Sequence, residues 1–197
     1  MVQPPSRRNP VPGAAMITSR FEMQPRLVEC TPKDHGAAIL AILNDAIATS
    51  TALYDYAPRP ASSMTGWFEA KRQGGFPVWG ALDDHGQLLG FATYGSFRPQ
   101  PAYKYTAEHS VYVRHDARGH GVGSTLMRRL IESATAQDLH LLVGVIDAEN
   151  RESIAFHERL GFTHAGTIEQ AGFKFGRWLD AAFYRRLLPT PREPRDG

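Results

Sequence analysis

Apolar and polar positions along the chain follow patterns that predict strands and helices in turn. Short apolar or alternating runs predict strands at 26–30, 78–81, 88–94, 107–113, 140–146, 162–168 and 178–188. Helical spacing of apolar residues predicts helices at 31–48, at 62–71, from 122 onward and at 150–160. The order of strands, helix, strand, helix and strands is typical of a mixed α/β sheet flanked by helices.

Capping and turn residues mark the ends of these elements. Thr31 is predicted to cap the first helix, with Pro32 at its first position, and Gly74-Gly75 to end the second. The turn Asp83-Asp84-His85-Gly86 separates two strand-like runs and therefore predicts a hairpin. The nearly continuous apolar run at 140–146 predicts a buried central strand.

The composition is that of one globular domain between two tails. The chain has 197 residues, of which 42% are hydrophobic and 21% charged, enough to build a core. Residues 1–24 and 189–197 are rich in proline and polar residues and lack a hydrophobic period. We therefore expect a flexible N-terminal tail at 1–24, a domain at 25–188 and a C-terminal tail at 189–197.

Charge and cysteine content narrow the possible partners. A formal net charge of +2 is too small to indicate a nucleic acid or a membrane surface. The single cysteine, Cys30, excludes an internal disulfide and suits a reducing compartment. With no membrane-length apolar run and no signal-peptide pattern, we expect a cytoplasmic protein. The histidines lack His-Glu-x-x-His spacing, and Gly-x-Ser-x-Gly is missing, so neither a metal nor a covalent intermediate is expected.

The most informative motif is Arg118-Gly119-His120-Gly121-Val122-Gly123. It follows the strand-like run 108–113 and opens an amphipathic helix. Glycines at a helix N-terminus expose backbone N–H groups where the helix dipole favours an anion. The motif therefore predicts a pyrophosphate cradle. Taken alone, its glycine spacing also fits an ordinary turn between a strand and a helix.

Four segments in the same order resemble the GCN5-related N-acetyltransferase (GNAT) superfamily, and within it the phosphinothricin and methionine sulfoximine acetyltransferase branch. They are the Arg-x-x-Gly-x-Gly loop on its strand and helix, 105–113, Asn150 with 157–162, and 172–180; 44–47 followed by 50–52 also fits. The resemblance covers roughly residues 25–188. It implies a GNAT fold, with a mixed sheet of about six to seven strands, two of which splay apart to bind acetyl-CoA. It also implies a homodimer.

The resemblance assigns three groups of residues to acetyl-CoA. The pyrophosphate is expected on the loop residues Arg118, Gly119, His120, Gly121, Val122, Gly123 and Ser124. The pantetheine arm is expected along the backbone of Val111, Tyr112 and Val113. Asn150 is expected to bond the arm from the other side, and it is also a good helix N-cap.

Two residues are candidates for proton transfer. Acetyl transfer needs a neutral amine, and Glu108, at the start of the strand that presents the thioester, is expected to take the proton as general base. The alternative is an exposed charge at a strand end. The resemblance places His157 where many superfamily members have a tyrosine that protonates the leaving thiolate. His157 shares a helix face with Ile154 and Leu160, so a buried core histidine is the alternative.

The acceptor site is expected beside the strand at 107–113. Arg98 is predicted to bind a substrate carboxylate through its guanidinium. The other predicted substrate contacts are Pro99, Gln100, Tyr103, Glu108, His109 and Ser110, and a backbone N–H near Ser110 or Val111 is expected to hold the thioester oxygen. Some relatives carry a second arginine at the position of Gln100, and its absence weakens the case for phosphinothricin itself.

The sequence therefore predicts an acetyl-CoA-dependent N-acetyltransferase that acts on the α-amino group of a small amino-acid analogue. The first candidates are phosphinothricin, methionine sulfoximine and methionine sulfone. Acetylation would detoxify these analogues. Two alternatives stay open. One is another amine, such as a polyamine or a peptide N-terminus, and the other is a sensor that binds acetyl-CoA without turnover.

Overall fold

A seven-stranded mixed sheet forms the centre of the protein. The computed structural model describes residues 25–196, so the predicted N-terminal tail lies outside the described residues. The strands are β1 (Arg26–Glu29), β2 (Val78–Leu82), β3 (Leu88–Ser96), β4 (Thr106–Val113), β5 (Leu141–Asp147), β6 (Thr163–Lys174) and β7 (Arg177–Leu187). The helices are α1 (Pro32–Thr49), α2 (Ser63–Gln73), α3 (Val122–Ala136) and α4 (Arg151–Arg159). The predicted mixed α/β sheet is confirmed.

The predicted caps and turns define the element ends. The Thr31 side chain accepts a hydrogen bond from the backbone N–H of Asp34 and opens α1, with Pro32 at its first position. Asn150 caps α4 in the same way through the N–H of Ser153. Gly74 ends α2, as predicted; at the other end of this helix the N-cap residue is Ser62, which makes no side-chain capping bond.

Within the described residues the sheet order is β1-β2-β3-β4-β5-β7-β6, and β4–β5 is the one parallel pair. That pairing covers only Thr106↔Leu141 to Glu108↔Val143. Beyond Glu108 the two strands separate, while β4 stays paired with β3 as far as Val113. The predicted splayed strands are thus present, and the backbone of β4 beyond Glu108 has an open side toward β5.

Two hydrophobic layers cover the faces of the sheet. On one face α3 buries Leu126, Met127 and Leu130 completely against the sheet. On the other, α1 and α2 pack Ile39 and Phe68 against Phe91 of β3. Within residues 25–196, no helix has both the length and the apolar character that crossing a membrane requires.

Strand β6 is longer than predicted, since the pattern indicated a strand at 162–168 only. Almost all of its side chains are exposed, so burial imposes no alternation of apolar and polar residues. The pairing with β7 also shifts register between His164 and Gly166 and again between Ile168 and Gly172. Such bulges erase the two-residue period from which a strand is predicted.

Lys174, the last residue of β6, fastens this strand to the end of α1. Its side chain is buried, and its Nζ donates to the carbonyls of Ile47 (2.8 Å), Ser50 (2.9 Å) and Leu53 (2.6 Å). Three donated hydrogen bonds require the ammonium form. A positive charge at a helix C-terminus also complements the helix dipole.

We expect Lys174→Met to lower the free energy of unfolding by about 1–3 kcal/mol, because three carbonyls lose a charged donor. Urea denaturation of the variant beside Lys33→Met, an exposed lysine of α1, measures this cost. Equal stability of the two variants would show that water replaces the ammonium without loss.

The structure describes the predicted C-terminal tail, 189–197, up to residue 196. Two of its residues make hydrogen bonds to the domain. The Thr190 hydroxyl donates to the carbonyl of Leu139 at 2.6 Å. The backbone N–H of Arg195 donates to the Tyr105 hydroxyl at 3.1 Å.

Candidate active site

The glycine motif forms a left-handed turn at the N-terminus of α3. Gly119 has φ of 77° and Gly121, the N-cap, has φ of 83°. A Cβ at either position would meet no atom within 4 Å, so both glycines are explained by backbone conformation and by an open approach to the loop. The first turn of a helix has no intrahelical acceptors for its N–H groups. The turn therefore presents free backbone donors.

A cleft of about 350 Å³ opens over this turn and runs along β4. We call it the glycine-loop cleft. Of the residues predicted to hold acetyl-CoA it contains Val111, Tyr112, Val113, Arg118, Gly119, Gly121, Val122, Gly123, Ser124 and Asn150, but not His120. Arg159 and Phe156 of α4 also line it and were not predicted. Their spacing of three residues, with Glu152 four residues before Phe156, places them on one face of α4 and was the available signal.

A second cleft, of about 320 Å³, meets the first where β4 and β5 separate. We call it the Glu108 cleft. Both clefts are lined by Ala52, Val111, Tyr112, Asn150 and Ser153. The Glu108 cleft further contains four predicted residues, Glu108, His109, Ser110 and His157. Its remaining walls are 51–54 and 144–147.

Four predicted substrate residues do not line either cleft: Arg98, Pro99, Gln100 and Tyr103. All four are exposed. The guanidinium of Arg98 lies over the Phe97 ring, 4.3 Å from its centroid, and donates to the Phe97 carbonyl at 2.8 Å. Arg98 nevertheless lies close enough to Glu108 for its charge to act on that carboxylate.

Glu108 has the properties of a base. Burial of the half-buried carboxylate raises its pKa above the ordinary value, and the positive charge of Arg98 counteracts part of that rise. A carboxylate with a raised pKa holds a proton more readily than an exposed one, which suits general-base catalysis near neutral pH.

His109 of β4 and His157 of α4 form a buried pair. Their exposed fractions are 5% and 4%, and their Nε2 atoms are 2.9 Å apart. Burial lowers the pKa of both imidazoles, and for His109 burial together with the charge of His157 lowers the pKa to about 3. Both rings also contact Phe162. At neutral pH the pair is uncharged.

Asp147, at the end of β5, brings a second carboxylate into the Glu108 cleft. Burial alone would raise its pKa, but hydrogen bonds from Thr51, the Glu149 N–H and Arg177 outweigh this and hold the pKa below its ordinary value. The Arg177 guanidinium lies 2.9 Å from Asp147 and 3.0 Å from Glu149. The charge of Asp147 is therefore neutralised within the protein, and Glu108 is the carboxylate left for the substrate.

The histidine pair predicts a fall in stability on the acid side of neutrality. The unfolded chain binds protons at an ordinary histidine pKa near 6.5, whereas the folded pair does not. The contribution of the histidine pair to the free energy of unfolding should thus reach its maximum above about pH 6.5. It should fall below that by up to about 1.4 kcal/mol per pH unit for each histidine, down to the lowered folded pKa. Urea denaturation between pH 7 and 5 tests this. We expect a shallower dependence in His109→Leu and an unchanged one in His85→Leu, an exposed turn residue.

Comparison with known proteins decides the family. A model of the acetyltransferase (GNAT) family matches residues 39–162. The chain belongs to this family. The acetyltransferase is 45% identical over 167 residues to the L-methionine sulfoximine/L-methionine sulfone acetyltransferase of Pseudomonas paraeruginosa, covering 82% of this chain and 97% of that protein.

Solved structures of other acetyltransferases share the fold. The crystal structure of a phosphinothricin acetyltransferase from Sinorhizobium meliloti in complex with AcCoA has a TM-score of 0.80 at 33% identity, covering 84% of this acetyltransferase and 89% of that chain. A ribosomal-protein-alanine N-acetyltransferase from Brucella melitensis has a TM-score of 0.79 at 40% identity, covering 83% and 99%. The predicted superfamily, fold and enzyme class, an N-acetyltransferase, are confirmed.

Proposed function

We propose that the enzyme transfers the acetyl group of acetyl-CoA to the α-amino group of a small amino-acid analogue. The observation that carries the proposal is the position of Glu108. This half-buried carboxylate lines the Glu108 cleft at the last paired position of β4 and β5. Farther along the same strand, Val111 and Tyr112 line both clefts. The relatives named for methionine sulfoximine, methionine sulfone and phosphinothricin support this class of acceptor.

The glycine-loop cleft fits acetyl-CoA. The left-handed turn at Gly119 and Gly121 offers unpaired N–H groups for the pyrophosphate. Arg118 and Arg159 line the same cleft and add positive charge for phosphates. The open side of β4 offers its backbone to the amides of the pantetheine arm, as a sheet edge does to an added strand. Acetyl-CoA supplies the activated acyl group.

The chemistry then divides among residues of the Glu108 cleft. Glu108 removes a proton from the acceptor ammonium, and the neutral nitrogen forms a bond to the thioester carbon. A backbone N–H near Ser110 or Val111 stabilises the oxyanion. When the carbon–sulfur bond breaks, the nitrogen has one further proton to lose and the thiolate has one to gain, and His157 is our candidate to carry it.

Arg98 is our candidate for the acceptor carboxylate. Because this arginine is exposed, its contribution to binding is modest, and we expect Arg98→Ala to raise KM for an amino-acid acceptor up to about fivefold. KM for acetyl-CoA should stay unchanged. The variant should also move the acid limb of kcat/KM to higher pH, because the Glu108 pKa loses the charge that lowers it. An unaltered acceptor KM would remove Arg98 from the site.

CoA-thiol release from acetyl-CoA tests the proposed function directly. The panel of acceptors is methionine sulfoximine, methionine sulfone, phosphinothricin, common amino acids, spermidine and an alanine-terminated peptide. Saturable turnover of one of the first three supports the proposal. Turnover of spermidine or the peptide alone would replace it by the alternative acceptors, the peptide being suggested by the name of the Brucella melitensis relative. Binding of acetyl-CoA without any turnover would support the sensor. The cytoplasmic location, the homodimer and the detoxifying role stay predictions.

A further inference from the structure

The hydrogen bonds around the histidine pair fix where its protons lie. The Ser153 carbonyl lies 2.7 Å from His157 Nδ1 and only accepts, so His157 Nδ1 carries a hydrogen. A neutral His157 then has its lone pair on Nε2. The 2.9 Å contact between the two Nε2 atoms needs one proton between them, which His109 supplies. Both nitrogens of His157 are thereby occupied.

This arrangement leaves one free lone pair, on His109 Nδ1. That atom is buried and has no hydrogen-bond partner among the described residues. The backbone of Val143 lies close enough to favour the protonated ring. One added proton can therefore bind at His109 Nδ1. The row of hydrogen bonds through the two rings then ends at the Val143 backbone on one side and at the Ser153 carbonyl on the other. A second added proton would make both rings imidazolium ions, with their Nε2 atoms 2.9 Å apart. The buried site disfavours two positive charges at this distance.

Among the residues that the structure describes, no charged side chain is hydrogen-bonded to either imidazole. On α4, Glu152, Glu158 and Arg159 are exposed, while the Phe156 and Phe162 rings cover the imidazoles. Glu108 and Asp147 line the same cleft, and Arg177 neutralises Asp147. Gly144 of β5 leaves space for both imidazole rings because it has no side chain. A Cβ on Gly144 would lie 2.7 Å from His109 Cε1 and 3.4 Å from His157 Nε2.

We propose that His109 is a positioning residue for acetyl transfer, which joins His157 in a unit that accepts a single added proton. The proposal rests on the proposed function. As the nitrogen–carbon bond forms, the remaining proton of the nitrogen passes to the unit, whose free lone pair is on His109 Nδ1. As the carbon–sulfur bond breaks, the unit returns one proton to the CoA sulfur, and it ends neutral as it began. Both N–H groups of the resting unit are engaged in hydrogen bonds, so the unit acts as an acid only with a proton gained in the same turnover.

Variants at position 109 separate this role from simple packing. A glutamine places an amide nitrogen where His109 has Nε2; it donates to a neutral His157 and, after rotation, accepts from a protonated one. A leucine does neither. We expect His109→Leu to lower kcat about 10–100-fold and to alter its pH profile, since general acid–base steps are worth about 10²–10⁴-fold in all. We expect His109→Gln to stay within about threefold of the parent. KM for acetyl-CoA should be unchanged in both.

The second measurement needs no acceptor. Nitrogen-15 spectra of the histidine rings at pH 7 should show His157 protonated at Nδ1 and His109 protonated at Nε2, with both rings neutral. Gly144→Ala, which keeps both histidines but removes their space, should disturb both rings and lower kcat as His109→Leu does. The Gly144 variant keeps the proposal testable should His109→Leu not fold.

The outcomes separate the two proposals. Spectra with these tautomers, together with rescue by glutamine, support the unit. Spectra with His157 protonated at Nε2 and no coupling to His109 overturn it, as does a folded His109→Leu enzyme with the parent kcat and pH profile. If the expected tautomers are found but no acceptor of the panel is turned over, the proposed function fails while the pairing stands.

Discussion

Glu108→Gln is expected to lower kcat about 10²–10⁴-fold, the usual contribution of general-base catalysis. Glutamine keeps the size of the side chain but does not accept the ammonium proton. Glu108 lies at the last paired position of β4 and β5, and the adjoining strand backbone and glycine turn stay intact. The affinity for acetyl-CoA should therefore be unchanged. CoA-thiol release and calorimetric titration with acetyl-CoA measure the two quantities separately.

The matched control is Glu169→Gln, an exposed glutamate on β6, which should keep the parent kcat. A Glu108→Gln enzyme with parental kcat would exclude Glu108 as the base. Equal losses of kcat and of acetyl-CoA affinity would instead indicate that the carboxylate supports the fold of the cleft.

Gly121→Ala is expected to weaken acetyl-CoA binding about 5- to 30-fold. Gly121 has φ of 83°, and a residue with a Cβ pays roughly 1–2 kcal/mol to adopt that conformation. In the absence of ligand the turn relaxes, so the cost is incurred when acetyl-CoA requires the original backbone. The Cβ meets no protein atom, which leaves backbone conformation and contact with the ligand as the causes. The change in Kd is measured by titration.

Gly86→Ala provides the control for backbone strain. Gly86 has φ of 77° in the turn between β2 and β3, and its Cβ would also meet open space. We expect an unchanged Kd in Gly86→Ala, because this turn does not line the glycine-loop cleft. If Gly121→Ala binds acetyl-CoA as the parent does, the glycine turn is not the pyrophosphate site.

The sequence predicted those features that depend on neighbouring residues. Thr31 and Asn150 cap their helices through N–H groups three residues away, and the glycine turn is contained within six positions. Such interactions leave a local pattern. The exposed strand β6 leaves none, because neither face is buried along most of its length, and its extent was accordingly underestimated.

The features that the sequence missed join distant segments. Asp147 enters the Glu108 cleft neutralised by Arg177, 30 residues away. His109 was predicted as a substrate contact, and the structure places its ring against His157, 48 residues away. Residue type alone indicates that a histidine titrates near neutrality. Which nitrogen carries its proton depends on Ser153 and Gly144, whose positions are set by the fold.

Strand β6 has a consequence for the order in which the two clefts are completed during synthesis. The lining of the glycine-loop cleft lies between residues 42 and 159. The wall of the Glu108 cleft at 51–54 is held from later residues, by Lys174 through the Ser50 and Leu53 carbonyls and by Gly172, on which the Tyr54 ring rests. A nascent chain that has emerged only through α4 therefore contains every lining residue of the glycine-loop cleft, while its acceptor wall lacks an anchor. The cleft in which we propose that the acceptor binds is therefore completed only after the β6–β7 hairpin has left the ribosome.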